Sequence, residues 1–419
     1  MRTITKDWAS RLRMAGAACI IAMGSAVTAQ AQITLNEIAR FNLNSTSGTA
    51  NAEFIGQNPG AVAWNGQKLY AAGYLSGTGT ASIVEITNPT ATGFVTPTYS
   101  SVFGSIPTPG SRGYGGLAIK NNVLAAAWNN GASSTSSMQS FTTAGNTRLW
   151  NLSASGTSSS QTNGQAGVAF DPGVSGTGAG VAWSASGSGR RAVWDSVTGT
   201  PQYVLSGSST PANPSSQAGA LISVNNGGGS TAWRDIDFNP SNGDVYLRWN
   251  NAVVKGIRSG PNLFLNGTGG PGTEILVGFS GTPVTVSGST SLVNGENITF
   301  MNGIQAIGNN SYAGDVLIFN DRSTTSTTQS WTTNMLFVTT SGSAVTPTWN
   351  FLSTPAAGNG YYDFGWDPTT STLAVMDFQN RNVSIFSVPE PSTTAIAGMC
   401  SIGLASLMLR GRRRSENNS

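Results

Sequence analysis

Short apolar runs recur along the middle of the chain, each ended by a cluster of Gly, Asn, Asp or Pro, and almost no stretch keeps a helical period. The runs come in pairs around a polar turn. The first pair is AVAW-NGQ-KLYAAGY (Ala61–Tyr74), followed by GLAI-KNN-VLAAAW (Gly116–Trp128) and GVAF-DPGVSGT-GAGVAW (Gly167–Trp183). DIDF-NPSNG-DVYLRW (Asp235–Trp249), GIQAI-GNNSYAG-DVLIF (Gly303–Phe319) and YDFGW-DPTTS-TLAVMDF (Tyr362–Phe378) complete the set. Asn-Gly, Asn-Asn and Asp-Pro or Asn-Pro turns tolerate the left-handed or fixed-φ positions of tight hairpins. Each pair therefore predicts two antiparallel strands.

Further strand-like runs follow the pairs: ASIVEIT at 81–87, RRAVWDS at 190–196, AVVKGIR at 252–258, NMLFVTT at 334–340 and NVSIFSV at 382–388. Three or four strands per unit, with unit starts 51 to 68 residues apart, predict the four-stranded blades of a β-propeller. Six blades fit the count. A seven-bladed ring and a β-sandwich are the alternatives. The last unit reaches residue 388 with only three strands, and ITLNEIARFNLN (33–44) is expected to supply its outer strand. The resemblance is to an architecture, because no blade motif such as the Trp-Asp repeat is present. Trp64, Trp128, Trp183, Trp249 and Trp366 fall in first or second strands. They are expected to fill the wedges between blades, with a sugar-stacking platform as the functional alternative.

Composition narrows the chemistry. The 419 residues include no histidine, which removes His-dependent triads, common zinc sites and haem ligation by His. Both cysteines, Cys19 and Cys400, lie in the apolar end segments, so residues 32–388 have neither disulfide nor thiol chemistry. Eight of the 21 basic and three of the 18 acidic residues sit at the two ends. The body is left near −2 with no basic stripe, which argues against a nucleic-acid partner. Charged residues are 9% of the chain and Gly numbers 53, yet 11 Trp, 16 Phe and 9 Tyr oppose disorder.

The ends carry addresses. Residues 1–31 read as a signal peptide: Arg2, Lys6, Arg11 and Arg13 precede an apolar stretch, and Ala29 and Ala31 supply small residues before a cut at Gln32. An uncleaved anchor is the alternative. Residues 389–419 begin with Pro389-Glu390-Pro391, continue with an uncharged run and end in Arg410, Arg412, Arg413 and Arg414. The run, about 393–409, is near the lower limit for a membrane helix, with its arginines on the cytoplasmic side. This order of tripeptide, span and basic cluster resembles the PEP-CTERM sorting tail of exported bacterial proteins. The signal peptide is expected to engage a Sec-type translocon, and the resemblance implies an exosortase-like processing enzyme acting at Pro389-Glu390-Pro391 and a cell surface or matrix rich in extracellular polysaccharide.

Catalysis would have to rest on carboxylates, Arg, Lys, Ser and Tyr. A propeller places Arg112, Arg234, Asp235, Asp321, Arg322 and Arg381 around one channel mouth, where Arg offers bidentate donors to a sugar or an anion. The alternative is that they cap turns. No cofactor motif is present. Calcium on oxygen ligands is compatible with the composition, although no EF-hand loop occurs. The expectation is an exported, non-catalytic binding or structural protein. A propeller hydrolase or lyase acting on polysaccharide or a lactone is the rival.

Overall fold

The computed structural model describes residues 32–43, 58–74, 80–107, 113–129, 138–152, 165–171, 181–186, 191–195, 197–198, 201–205, 235–239, 242–249, 252–259, 262–264, 275–278, 304–307, 316–320, 331–340, 344–357 and 362–389. They are almost entirely β: 26 strands and one helical turn among the described residues. The predicted signal peptide and the predicted membrane span lie outside them. No helix among the described residues is long and apolar enough to cross a membrane.

The strands group as the hydrophobic runs predict. After β1 (Gln32–Asn42), a first unit holds β2 (Asn58–Trp64), β3 (Leu69–Tyr74), β4 (Thr80–Ile86), the short β5 (Gly93–Val95) and β6 (Tyr99–Pro107). The second holds β7 (Gly113–Lys120), β8 (Val123–Asn129), β9 (Met138–Thr142) and β10 (Arg148–Leu152). The third runs through β11 (Gln165–Asp171), β12 (Val181–Ser186), β13 (Arg191–Asp195) and β14 (Pro201–Leu205). The fourth has β15 (Asp235–Phe238), β16 (Val245–Trp249) and β17 (Ala252–Ser259), with β18 (Asn262–Phe264) and β19 (Ile275–Gly278) both pairing with β17. The fifth has β20 (Ile304–Ile307), β21 (Val316–Asn320), the turn α1 (Trp331–Asn334), β22 (Met335–Thr339) and β23 (Ala344–Asn350). The sixth has β24 (Tyr362–Asp367), β25 (Thr372–Asp377) and β26 (Asn382–Ser387). Each predicted hairpin is an antiparallel pair.

β1 is the outer strand that the sixth unit lacks, antiparallel to β26 from Asn36↔Ser387 to Asn42↔Asn382. It does more than the sequence suggests. Its first half runs parallel to β23, from Gln32↔Thr346 to Asn36↔Asn350, and its second half runs parallel to β5 at Ala39–Phe41. One N-terminal strand thus stitches the fifth, sixth and first units together.

The core lies between units. Val62, Trp64, Leu69, Ala71 and Val84 pack with Ala374, Met376, Val383 and Ile385 between the first and sixth units. Ala61, Tyr70 and Ile83 meet Tyr114, Leu117, Leu124 and Phe141 between the first and second. Val316, Ile318, Phe337 and Trp331 meet Tyr362, Phe364, Leu373 and Phe386 between the fifth and sixth. A sheet covered on both faces has no solvent side, so its strands read as continuous apolar runs rather than alternations. All six residues of β25, TLAVMD, are buried.

The first strands of the units follow one another in space. β2 packs against β7, β7 against β11, β11 against β15, β15 against β20, β20 against β24, and β24 against β2. These inner strands come very close. A Cβ on Gly116 would stand 2.9 Å from the Cα of Gly167, and one on Gly167 would stand 2.8 Å from the Cα of Asp235. Only a residue without a side chain fits at such a seam.

Candidate functional site: a cavity among the inner strands

The inner strands line a cavity of about 220 Å³. Its wall is apolar where Val62, Leu117, Val168, Ile236 and Phe364 contribute, and charged where Lys120, Asp235, Asp237 and Asp363 do. Register within the repeat explains the placement. Ala61, Gly116, Gly167, Asp235 and Asp363 occupy the same position of their respective first strands. Where one strand carries glycine, the neighbour has room for a carboxylate, and Asp235 sits over Gly167 in this way.

Asp363 closes the seam between the last unit and the first. Its Oδ2 accepts the Val62 N–H at 2.7 Å, a bond spanning 301 residues of sequence. The Phe364 N–H also bonds its carboxylate. Burial pushes its pKa up to about 7 against these two bonds, and the negative charge of Asp237 pushes the same way. Burial lowers the pKa of Lys120, with Asp171 opposing. Asp235 accepts the N–H of its own neighbour Ile236 at 2.9 Å. Trp366 adds an indole Nε1 that is shielded from solvent and has no hydrogen-bond partner. Trp64, across the same seam, donates its Nε1–H to Thr372 Oγ1 at 2.8 Å.

The residues expected at a channel mouth divide. Asp235 lines the cavity. Arg381 does not. It occupies the β25–β26 turn with φ 51°, and its carbonyl accepts the Leu43 N–H at 2.8 Å. Arg112, Arg234, Asp321 and Arg322 lie outside the described residues, as do Ala29, Ala31, Glu390, Pro391, Arg410, Arg412, Arg413 and Arg414. Gln32 begins β1, and Pro389 follows the buried Val388 as an exposed residue. Of the tryptophans named above, the side chains of Trp64 and Trp366 are described, and both pack into the clusters between units.

Sequence reasoning did not single out Asp363 or Lys120. A signal existed for Asp363, since aligning RDIDF with YDFGW places it level with Asp235. For a metal the donors are sparse. No group of three or more Asp, Glu, His or Cys side chains that could hold one occurs among the described residues.

Comparison with known proteins places the tail. Residues 387–414 match the PEP-CTERM protein-sorting motif, so the chain carries an export and sorting signal of that family, as its C-terminal residues suggest. The motif implies export and processing by an exosortase-type enzyme. It starts at the last residue of β26, so fold and sorting signal abut. No curated protein matches the chain. Among solved structures, a structural genomics protein of unknown function from Bacteroides thetaiotaomicron is similar at 11% identity and a TM-score of 0.46, covering 85% of this chain and 76% of its own. A chain of the mitotic checkpoint complex is similar at 9% identity and a TM-score of 0.32, covering 79% and 63%. Neither likeness carries an argument about function.

Proposed function

We propose that this chain is an exported cell-surface or matrix protein whose body is a six-bladed β-propeller, acting as a non-catalytic binding component for extracellular polysaccharide. Four or five strands in each of the first five units, inner strands that return from β24 to β2, and an N-terminal strand completing the last unit support the propeller over a sandwich. The observation that carries the non-catalytic reading is the Asp363–Val62 bond. The most perturbed carboxyl of the cavity is engaged with backbone at the ring's seam and is not presented to a reacting group.

The test has two parts. Mass spectrometry of the mature protein from cells and from medium should find ends near Gln32 and near residues 389–392. Recovery of the intact chain through Ser419 as the sole membrane-bound form overturns the sorting claim. Binding to extracellular polysaccharide should then survive a chelator, with the glycan recovered unchanged.

One observation favours a second reading. Asp363, with a pKa near 7 and Asp237 within electrostatic reach, has the titration of a general acid or base. A propeller hydrolase or lyase would show turnover with a pH dependence centred near 7, abolished in Asp363→Asn. Glycan bound without turnover at any pH between 5 and 9 rejects that reading.

A further inference from the structure

The rim of the molecule holds a second concavity, of about 420 Å³, where β1, β5 and the β25–β26 turn converge. Phe94 projects there from the three-residue β5 and is 66% exposed, the most exposed of the large apolar side chains that stand out among the described residues. A lone exposed phenylalanine needs no explanation. This one is held in place: the Arg40 guanidinium lies over its ring at 5.7 Å from the centroid.

Arg40 is itself immobilised. Its Nε and Nη2 donate to Glu37 Oε1 and Oε2, both at 2.6 Å, and Nη2 also donates to the Ser353 carbonyl at 2.8 Å. The bidentate pair cancels the arginine's charge beside the groove. Asn382 faces the same space, and its Oδ1 is shielded from solvent with no hydrogen-bond partner. The wall beside it is rigid, because Asn380 Nδ2 donates to Asp377 Oδ2 at 2.8 Å and to the Ala356 carbonyl at 2.9 Å.

An exposed aromatic ring, a charge-neutral setting and an amide side chain at the wall describe one class of ligand. It has an apolar face to lie on the ring and hydroxyls to reach the amide, and it carries no net charge. We propose that this rim groove is a subsite for neutral saccharide units, with Phe94 as the stacking platform and the Asn382 amide as the polar group at its wall. The size agrees, since ligand clefts span about 300–1,000 Å³ and combine apolar walls with a few placed polar groups. A uronate chain would find the arginine already neutralised by Glu37 and would gain no ion pair. The inference rests on the polysaccharide-binding reading and adds to it a location and a charge class, away from the central cavity.

Calorimetric titration of the full chain in detergent micelles tests it. One arm uses neutral gluco-, manno-, galacto- and xylo-hexaoses, and the other uses hexagalacturonate. The expected result is binding in the neutral arm, weakened at least tenfold in Phe94→Ala and retained in Phe94→Trp. The exposure of Phe94 predicts an unchanged melting temperature in both variants. Neutral binding equally strong in Phe94→Ala overturns the groove and leaves the polysaccharide reading standing. Binding of hexagalacturonate alone likewise overturns the neutral-saccharide claim only. Silence in both arms overturns the groove and the polysaccharide reading together.

Discussion

At Asp363 one carboxyl joins the first and last sheets, and its benefit to stability depends on pH. Its folded-state pKa, about 7, lies above the 3.8 of an aspartate in water, so between those values the folded chain holds a proton that the unfolded chain has released. Stability therefore falls as pH rises through this window, and the penalty is complete above 7. Burial raises Asp377 as well, against bonds from Asn380 and Trp331, and adds a slope of the same sign. The expected outcome is a melting temperature that declines from pH 4 to pH 7.5. In Asp363→Asn, which keeps an acceptor for the Val62 N–H and cannot ionise, the decline should be shallower. Equal slopes in the two proteins would remove Asp363 from the account. A second residue-scale prediction concerns the seam between the second and third units. The neighbours that a Cβ on Gly116 would meet at 2.9 Å are backbone atoms, which cannot swing aside. Gly116→Ala should destabilise by about 1–3 kcal/mol, the usual range for overpacking. Gly145→Ala gives a contrast in chemical denaturation, since the nearest atom its Cβ meets is 4.0 Å away and its cost comes only from φ +81°.

Among the elements, β1 has the widest reach. Ile33 and Leu35 enter the core between the fifth and sixth units, while Ala39 and Phe41 enter the one between the sixth and first. Phe41 is fully buried, and Phe41→Ala should cost about 3–5 kcal/mol. Because β1 bridges three units, that loss should lower the single melting transition of the whole body, with no separate early transition of the sixth unit. A resolved first transition in calorimetry would mean that β1 is only a local edge strand. The helical turn α1 plays a comparable part at smaller scale. Trp331 is packed edge-on against Trp349, Phe351 and Tyr362, and its Nε1 donates to Asp377 Oδ2 at 2.8 Å. That bond ties the fifth unit to the sixth.

For the whole molecule, the boundary between fold and tail makes a sharp prediction. Val388 is buried and its N–H bonds to the Ser371 carbonyl at 2.9 Å, while the next residue, Pro389, is exposed. A chain ending at Pro389 should melt within a degree or two of the longer one. A chain ending before Asn382 loses β26, and with it the ladder that β1 shares with the sixth unit, and should not fold. If the Pro389-terminated chain were unfolded, residues beyond it would belong to the fold and not only to sorting.

Much of this was legible in the residues because its causes are local. YDFGW-DPTTS-TLAVMDF reads as a hairpin since Asp367 satisfies the N–H groups of Thr369 and Thr370 inside the turn, and Ser371 takes the left-handed φ of 50°. The Asn121-Asn122 turn behaves likewise, with φ 53° at Asn121. The sorting motif was legible for the same reason: charge, proline and apolar length are consecutive properties of the chain. The six strand pairs, the absence of histidine chemistry and the C-terminal address were therefore determined by sequence alone. Only the tertiary structure decided the rest. It brought Asp363 to Val62 across 301 residues, laid β1 parallel to β23 as well as antiparallel to β26, and gathered Arg40, Phe94 and Asn382 at one rim. Such juxtapositions depend on which sheets become neighbours, a long-range outcome of packing that no local period encodes.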